Sequence, residues 1–428
     1  MATSYESALA MLGSAAHHVQ ASRSSIEPAR EELVTLDQAV GHVAACDCLS
    51  PRSTPEFDTS ATDGYAIHSE STRWASPRSP VFFKVYDPDL ANVHNGEEIC
   101  IEIMAGARFP EPYGHQLLDA CVKFEDVAKA KGPDGYYWIA ITKSVPSNAN
   151  RRFAGEDIRV GELLLKAGHV VSSSHLLPLA SVGIQGIRVV RRPRIAIWST
   201  GAELLSENNY HARDVNGLFL TTCSREAGAT ATFLGVLGDN VESMAHAFSM
   251  LTKESQTPDV LITTGGVSAG KFDFVPKALC MTGAQIMFHG IAMRPGHPIL
   301  FALLPSSCGE IAFFGLPGSP GAAAACFRLL VVPYLRYLLG QEPECPVYAR
   351  LDCPNYFVHP AQDQERFRLG IVQRTADGKS FVKEVEKHRG STHLSPFLHA
   401  NCWMRFKRQQ RHVKGDDMEC FPLHDKGG

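Results

Sequence analysis

Neither a C-x-x-C pair nor an H-E-x-x-H motif occurs in this chain, although it carries 12 cysteines and 18 histidines in 428 residues. The thiols are scattered, with Cys46 and Cys48 the only close pair. That spacing argues against a zinc site or a redox dithiol and for reduced, buried cysteines of an intracellular protein. Long apolar runs are also missing: none approaches the roughly 18 residues of a membrane span. The first residues, Met1-Ala2-Thr3-Ser4-Tyr5-Glu6, lack the basic-then-apolar order of a secretory leader, so a cytoplasmic location is expected. Charge of one sign is scarce. The formal net charge of −4 excludes a general nucleic-acid binder, which needs concentrated positive charge. Low-complexity tracts and short repeats are absent from the sequence.

What remains is an ordinary globular composition, 44% hydrophobic and 20% charged, over a length suited to two to four domains. The pattern along the chain predicts an α/β multidomain fold. Residues 5 to 48 have apolar positions near helical spacing: Ala8, Met11 and Leu12, then Leu33, Leu36, Ala39 and Val40. Glu32 to Asp37 is expected to be a turn and cap. A Pro/Ser/Thr-rich loop, 51–64, leads into short strands such as Val81–Val85 and Tyr136–Ala140. Helical segments are expected around His175–Val182 and again before Arg188. From Arg194 strands alternate with helices, the mark of a mainly parallel sheet with helices on its faces. From about 345 only strands are expected: Val347–Cys353, Arg366–Gln373, Ser380–Val385 and Asn401–Phe406. The expected domains are therefore 1–51 with 147–187 (helical, linking), 52–146 (inserted, β-rich), 188–343 (α/β) and 344–428 (all-β).

The chemistry concentrates at the ends of the α/β strands, where open sheets bind ligands. The apolar run Val260-Leu261-Ile262 ends in Gly265, Gly266, Ser268 and Gly270, and a helix-like segment starts at Phe274. A small-residue loop between strand and helix offers backbone N–H groups to phosphate. Asp273 beside it repels phosphate unless a metal ion or an ordered water intervenes, which suggests phosphate chemistry rather than docking. Three more loops should reach the same rim. Ser199–Glu203 is one. Arg213–Asn216 is the second, where Asp214 and Asn216 suit hydrogen bonds to a heterocycle. Gly315–Gly321, with Gly318 and Ser319, is the third. Met293-Arg294-Pro295-Gly296-His297-Pro298 is stiffened by two prolines and presents Arg294 and His297, a combination fit for a small oxyanion, or else a plain surface turn. Asp63 lies at a tight turn that it either caps or serves, and Gly155-Glu156-Asp157 with Asn150-Arg151-Arg152 is a polar cluster equally consistent with a solvated hairpin.

Taken together these motifs resemble the molybdopterin molybdenumtransferases of the MoeA type, the molybdenum insertases that include the C-terminal domain of gephyrin. The resemblance covers nearly the whole chain and rests on Ser60–Ala66, Gly155–Asp157, Ser199–Leu204, Thr264–Gly270, Met293–Pro298 and Leu316–Pro320. It implies a three-layer α/β/α molybdopterin-binding domain, a C-terminal β-barrel-like domain and a homodimer with its site between subunits. It implies a reaction: adenylylated molybdopterin is cleaved, molybdate enters the dithiolene and AMP leaves, with Mg2+ involved. A separate adenylylating protein would supply the substrate. Residue by residue, it implies Asp63, Asp157, Glu203 and Asp273 as the acidic group, with Glu203 and Asp273 at the metal. It implies Asp214 and Asn216 at the pterin or nucleotide, and Gly265, Gly266, Ser268, Gly270, Gly318 and Ser319 at phosphate. Arg294, His297, Pro298, Arg368 and Ser391 would hold molybdate. The sequence departs from the family pattern at Ala105, Ala202, Lys271, Arg294, His297, Leu369 and Ala322. A histidine in place of lysine makes an oxyanion pocket whose charge depends on pH near neutrality. The alternative reading is a diverged paralogue that binds a pterin or nucleotide, or serves as a dimeric scaffold, without insertion.

Overall fold

The computed structural model describes the chain except residues 1–2, 25–29, 87–96, 113–115, 133–134, 206–212, 254–256, 268–273, 354–362, 386–392 and 424–428. The expected site residues Ser268, Gly270, Asp273 and Ser391, and the departure Lys271, lie outside the described residues. The chain forms two compact units, one of 1–46, 167–172 and 186–428, the other of 47–166 and 173–185.

In the first unit, six strands build the central sheet: β1 (Arg194–Thr200), β2 (Thr230–Leu237), β3 (Val260–Thr264), β4 (Gln285–His289), β5 (Leu300–Ser306) and β6 (Gly309–Leu316). Their spatial order is β2-β1-β3-β6-β5-β4. The first four strands in that order are parallel, and β5 and β4 are added antiparallel. Every residue of β3 is buried, which is why the sequence there is a continuous apolar run rather than an alternation. The N-terminal helix Tyr5–Ser24 buries Tyr5, Ala8, Leu12, Ala15, Ala16 and Val19, a stripe at helical spacing, in the same core cluster as β1, β3, β5 and β6.

At the end of that helix Arg23 is fully buried beside Asp259, the residue before β3, which is itself 1% exposed. Arg23 Nη1 donates to Asp259 at 2.6 Å, and Arg191, Arg194 and Arg30 also place guanidinium nitrogens within 4.0 Å of that carboxylate. Burial alone would raise the Asp259 carboxyl, but Arg191, Arg23, the Arg194 amide and Arg30 together hold it below the usual carboxylate range.

Two expectations for the linking segments are corrected. Glu31–Thr35 is not a turn and cap within a helical stretch but a strand, paired antiparallel with Gly186–Val190; only Leu36–Ala39 after it is helical. The segment before Arg188 is likewise a strand. Ile187 and Val189 are buried on either side of exposed Arg188, a period of two set by long-range pairing rather than by local helical preference. The expectation of no membrane-length apolar segment is corrected as well. Pro320–Leu338 is 19 residues long and apolar enough by composition, yet 83% of its window is buried inside the protein. Arg328 in its middle donates to Glu344 and to the Pro422 carbonyl, so it is a core helix.

The C-terminal strands close on themselves: Glu365–Arg374, Ser380–Glu384, Val347–Leu351, Asp417–Pro422 and Cys402–Phe406 pair in sequence, and the last returns to the first. Their interior holds Leu351, Val382, Met404, Phe406 and Met418. The strand Asp417–Pro422 was not among the expected ones.

The second unit centres on a six-stranded sheet that includes Gly64–Ile67, Ile99–Ile103, Val81–Val85 and Tyr137–Ile141. A Cβ at Gly64 would lie 2.0 Å from the Val122 carbonyl oxygen, so only glycine lets the two strands approach there.

Candidate functional site: two adjoining cavities

Four loops of the first unit line a cavity of about 650 Å³ at the carboxyl ends of β1, β3 and β6. Glycine is needed at two of its turns. Gly265 has φ +99°, and a Cβ there would lie 2.5 Å from Thr200 Oγ1; Gly201 has φ +137°, and a Cβ there would lie 2.4 Å from Glu203 Oε1. The Glu203 carboxylate therefore folds back over the Gly201 turn. Asp239 also lines the cavity and accepts from the Ala202 amide at 3.2 Å. Sequence reasoning missed Asp239; its Gly238-Asp239-Asn240 turn at the end of β2 was the available signal.

Asp214 has a local duty. It caps the helix Val215–Glu226 by accepting from the Gly217 amide at 2.9 Å, and its other oxygen accepts from Ser199 Oγ at 2.6 Å. Asn216 ties three loops together. Its Nδ2 donates to Thr264 Oγ1 at 2.9 Å and to the Gly318 carbonyl at 2.8 Å, while Thr264 Oγ1 donates to the Pro317 carbonyl. This network fixes the amide's orientation and leaves Asn216 Oδ1 buried without a hydrogen-bond partner among the described residues. Asn216 is 8% exposed and lines the cavity. A buried, unpaired acceptor is costly unless a ligand donates to it. The Gly265 amide, by contrast, is committed to the Leu316 carbonyl.

A second cavity of about 850 Å³ shares Pro298, Pro317 and Ser319 with the first. Arg294, His297, Arg368, Glu384 and His393 line it. His297 Nδ1 lies 2.6 Å from the Ile291 carbonyl, which only accepts, so Nδ1 carries the proton. Nε2 is then an acceptor in the neutral ring and a donor only in the cation. Ser319 precedes the helix Pro320–Cys326 and makes no side-chain capping bond to it.

The second unit carries the remaining acids. Asp63 is exposed and accepts from the Ala105 amide at 2.8 Å, a bond to a different turn 42 positions along the chain. Asp157 is exposed, with its own amide donating to the Thr54 carbonyl. Asp58, which sequence reasoning passed over, holds Arg151 and the Ala154 amide. The Ala154 amide first, and Arg151 after it, hold its carboxyl below the usual range against its partial burial.

Among the described residues no group of three His, Cys, Asp or Glu gathers around a common point. Magnesium characteristically takes one or two protein carboxylates and completes its shell with substrate phosphates and water. Glu203 and Asp239, both on the first cavity, are a donor set of that kind.

The architecture and its paired cavities define an α/β ligand-binding protein with a molybdopterin-type domain. The "Probable molybdopterin binding domain" matches residues 196–337, and the "MoeA N-terminal region (domain I and II)" matches residues 3–183. The chain is 31% identical over 317 residues, 72% of each sequence, to the molybdopterin molybdenumtransferase of Staphylococcus epidermidis. It is 27% identical over 389 residues to that of Staphylococcus aureus, covering 89% of this chain and 88% of that one. A solved molybdopterin biosynthesis MoeA protein from Pyrococcus horikoshii superposes with a TM-score of 0.74 at 27% identity, over 99% of both chains. The chain belongs to the molybdopterin molybdenumtransferase (MoeA) family.

Proposed function

We propose that the protein inserts molybdate into adenylylated molybdopterin and releases AMP, as a transferase of molybdenum cofactor biosynthesis. The observation that carries this reading is the pair of adjoining cavities, one lined by glycine turns and Asn216, the other by arginines. The first suits the nucleotide and pyrophosphate of the substrate, with Asn216 Oδ1 accepting an N–H or O–H of the bound ring. The second suits a tetrahedral dianion at Arg294, His297 and Arg368. Glu203, with Asp239 and Asp273, would hold magnesium, which when bound neutralises phosphate charge and polarises the anhydride. The side chains orient the rest: Asp214 fixes the helix start that presents Asn216, and Ser319 faces both ligands at the shared wall.

The family's homodimer with an intersubunit site, the acids Asp63 and Asp157, a cytoplasmic location and a separate adenylylating protein belong to the same proposal, as does a four-domain division at 51/52, 146/147, 187/188 and 343/344. The transferase names of the relatives do not favour the scaffold alternative. The test mixes purified protein with adenylylated molybdopterin, molybdate and magnesium and follows AMP release and molybdenum in the product. Turnover is expected, and Asp273→Asn should abolish it while leaving the thermal unfolding profile unchanged. Ligand binding without any AMP release would reject the proposal.

A further inference from the structure

Two antiparallel pairings in succession restore the strand direction, so β4 runs the same way as β3 and ends on the same rim of the sheet. The register sets His289, the last residue of β4, in one row with Leu300, Gly315 and Thr263. Three strand spacings, about 14 Å, separate the two ends of that row. The loop after β3 crosses this distance over β6. Val267 is 1% exposed, and a Cβ at Gly315 would lie 2.7 Å from its Cγ1, so only glycine leaves room for the loop there. At the end of the crossing the Val267 carbonyl lies 2.8 Å from His289 Nε2. A carbonyl only accepts, so Nε2 donates.

Gly265, Gly266 and Val267 wall the first cavity. Two glycines bring this stretch little stiffness of their own, and its shape rests on its tethers. The Gly265 amide donates to the Leu316 carbonyl at 2.9 Å, and the Gly266 carbonyl accepts from the Val275 amide at 3.3 Å. Both bonds join backbone groups, which outlast a change of side chain. The tether at Val267 depends on an imidazole. His289 is exposed, belongs to an edge strand and lines neither cavity, so it acts on a ligand only through Val267. A buried carbonyl that loses its donor is costly, and the loop escapes the cost by turning that carbonyl towards water, which moves the wall.

We infer that His289 is a positioning residue: by holding the Val267 carbonyl it sets the Gly265–Val267 wall against which the phosphates of the adenylylated substrate bind. This rests on the reading of the first cavity as the seat of the nucleotide and pyrophosphate.

The experiment compares His289→Leu, which removes the donor, with His289→Gln, which keeps an N–H at similar reach. AMP, as a probe of the first cavity, and molybdate, as a probe of the second, are titrated into the full-length protein by calorimetry. His289→Leu should weaken AMP binding by about tenfold, the loss of one buried hydrogen bond felt at the ligand. Molybdate binding should not change, and His289→Gln should recover most of the AMP affinity. In turnover, His289→Leu should raise KM for adenylylated molybdopterin and leave KM for molybdate and kcat near their starting values. If the Leu variant does not unfold cooperatively, His289→Phe, which keeps a flat ring without a donor, is judged by the same criteria. AMP binding by the folded variant within about twofold of the unsubstituted protein, or equal losses in the Leu and Gln variants, would overturn the inference and leave the first cavity's assignment standing. A parallel loss of AMP and molybdate binding would mark a residue that merely holds the fold and would overturn it too. Absence of AMP binding to the unsubstituted protein would overturn the inference together with the assignment beneath it.

Discussion

The two ends of β3 carry polar groups under opposite regimes. At its start, Asp259 is buried and its carboxylate is answered by Arg23, Arg191, Arg30 and the Arg194 amide. At its finish, Thr264 and Gly265 lead into the first cavity, where Asn216 keeps a buried acceptor without a partner among the described residues and Glu203 stands exposed. One end is closed chemistry that holds the N-terminal helix onto the sheet. The other is left incomplete, in the way a site for a ligand must be. Stability and binding are thereby separated by the length of a five-residue strand, and substitutions at the two ends should be separable too.

The largest effect is expected at the closed end. Asp259→Ala leaves the surrounding guanidiniums without their carboxylate and should cost about 3–5 kcal/mol of stability, measured by urea denaturation. Molybdate and AMP affinities of the folded fraction should not change. A loss under about 1 kcal/mol would break the contrast. Gly265→Ala comes next, because it is wrong for both regimes. The added Cβ meets Thr200 at a backbone angle that L side chains rarely adopt, so a loss of about 1–3 kcal/mol is expected in thermal unfolding, together with loss of AMP binding. Asn216→Ala should act mainly on the ligand. Removing the unpaired acceptor should weaken binding of the adenylylated pterin by about tenfold, read by calorimetry; an unchanged affinity would mean that Oδ1 faces no ligand donor.

The smallest effect at neutral pH, and the sharpest in acid, is the titration of Asp259. Its folded-state carboxyl is held below the usual range, so its contribution is fully present above the unfolded value of roughly 3.9 and declines as pH falls through the lower folded value. Stability measured downward from about pH 5 should therefore fall in the unsubstituted protein, and part of that slope should be missing in Asp259→Ala.

The open end was far more legible in the sequence than the closed one. A strand buried on both faces is a continuous apolar run, and a turn that needs glycine shows its glycines, so Val260–Thr264, Gly265 and Gly266 stand out locally. Asp214 and Asn216 stood out as polar residues opening a helix at the sheet's rim; the capping bond of Asp214 is short-range, whereas the bonds of Asn216 to Thr264 and Gly318 run 48 and 102 positions along the chain and were not legible. Arg23 and Asp259 were not, since their partnership spans 236 positions and neither residue announces it. Glu31–Thr35 was misjudged for the same reason: its pairing partner is Gly186–Val190, far along the chain. Asp417–Pro422 did carry a signal, with Met418 and Cys420 buried in alternation, but its charged residues obscured it. Arg366 opens an expected strand, but its place beside Arg294 comes only from the barrel's register.

The wall of Pro298, Pro317 and Ser319 common to both cavities has a consequence for affinity. Two separate small molecules on either side of it each lose their own freedom of movement on binding. A single molecule reaching across loses it once, because capture at one end raises the local concentration of the other end to roughly millimolar or above. Neither compartment then needs to grip tightly.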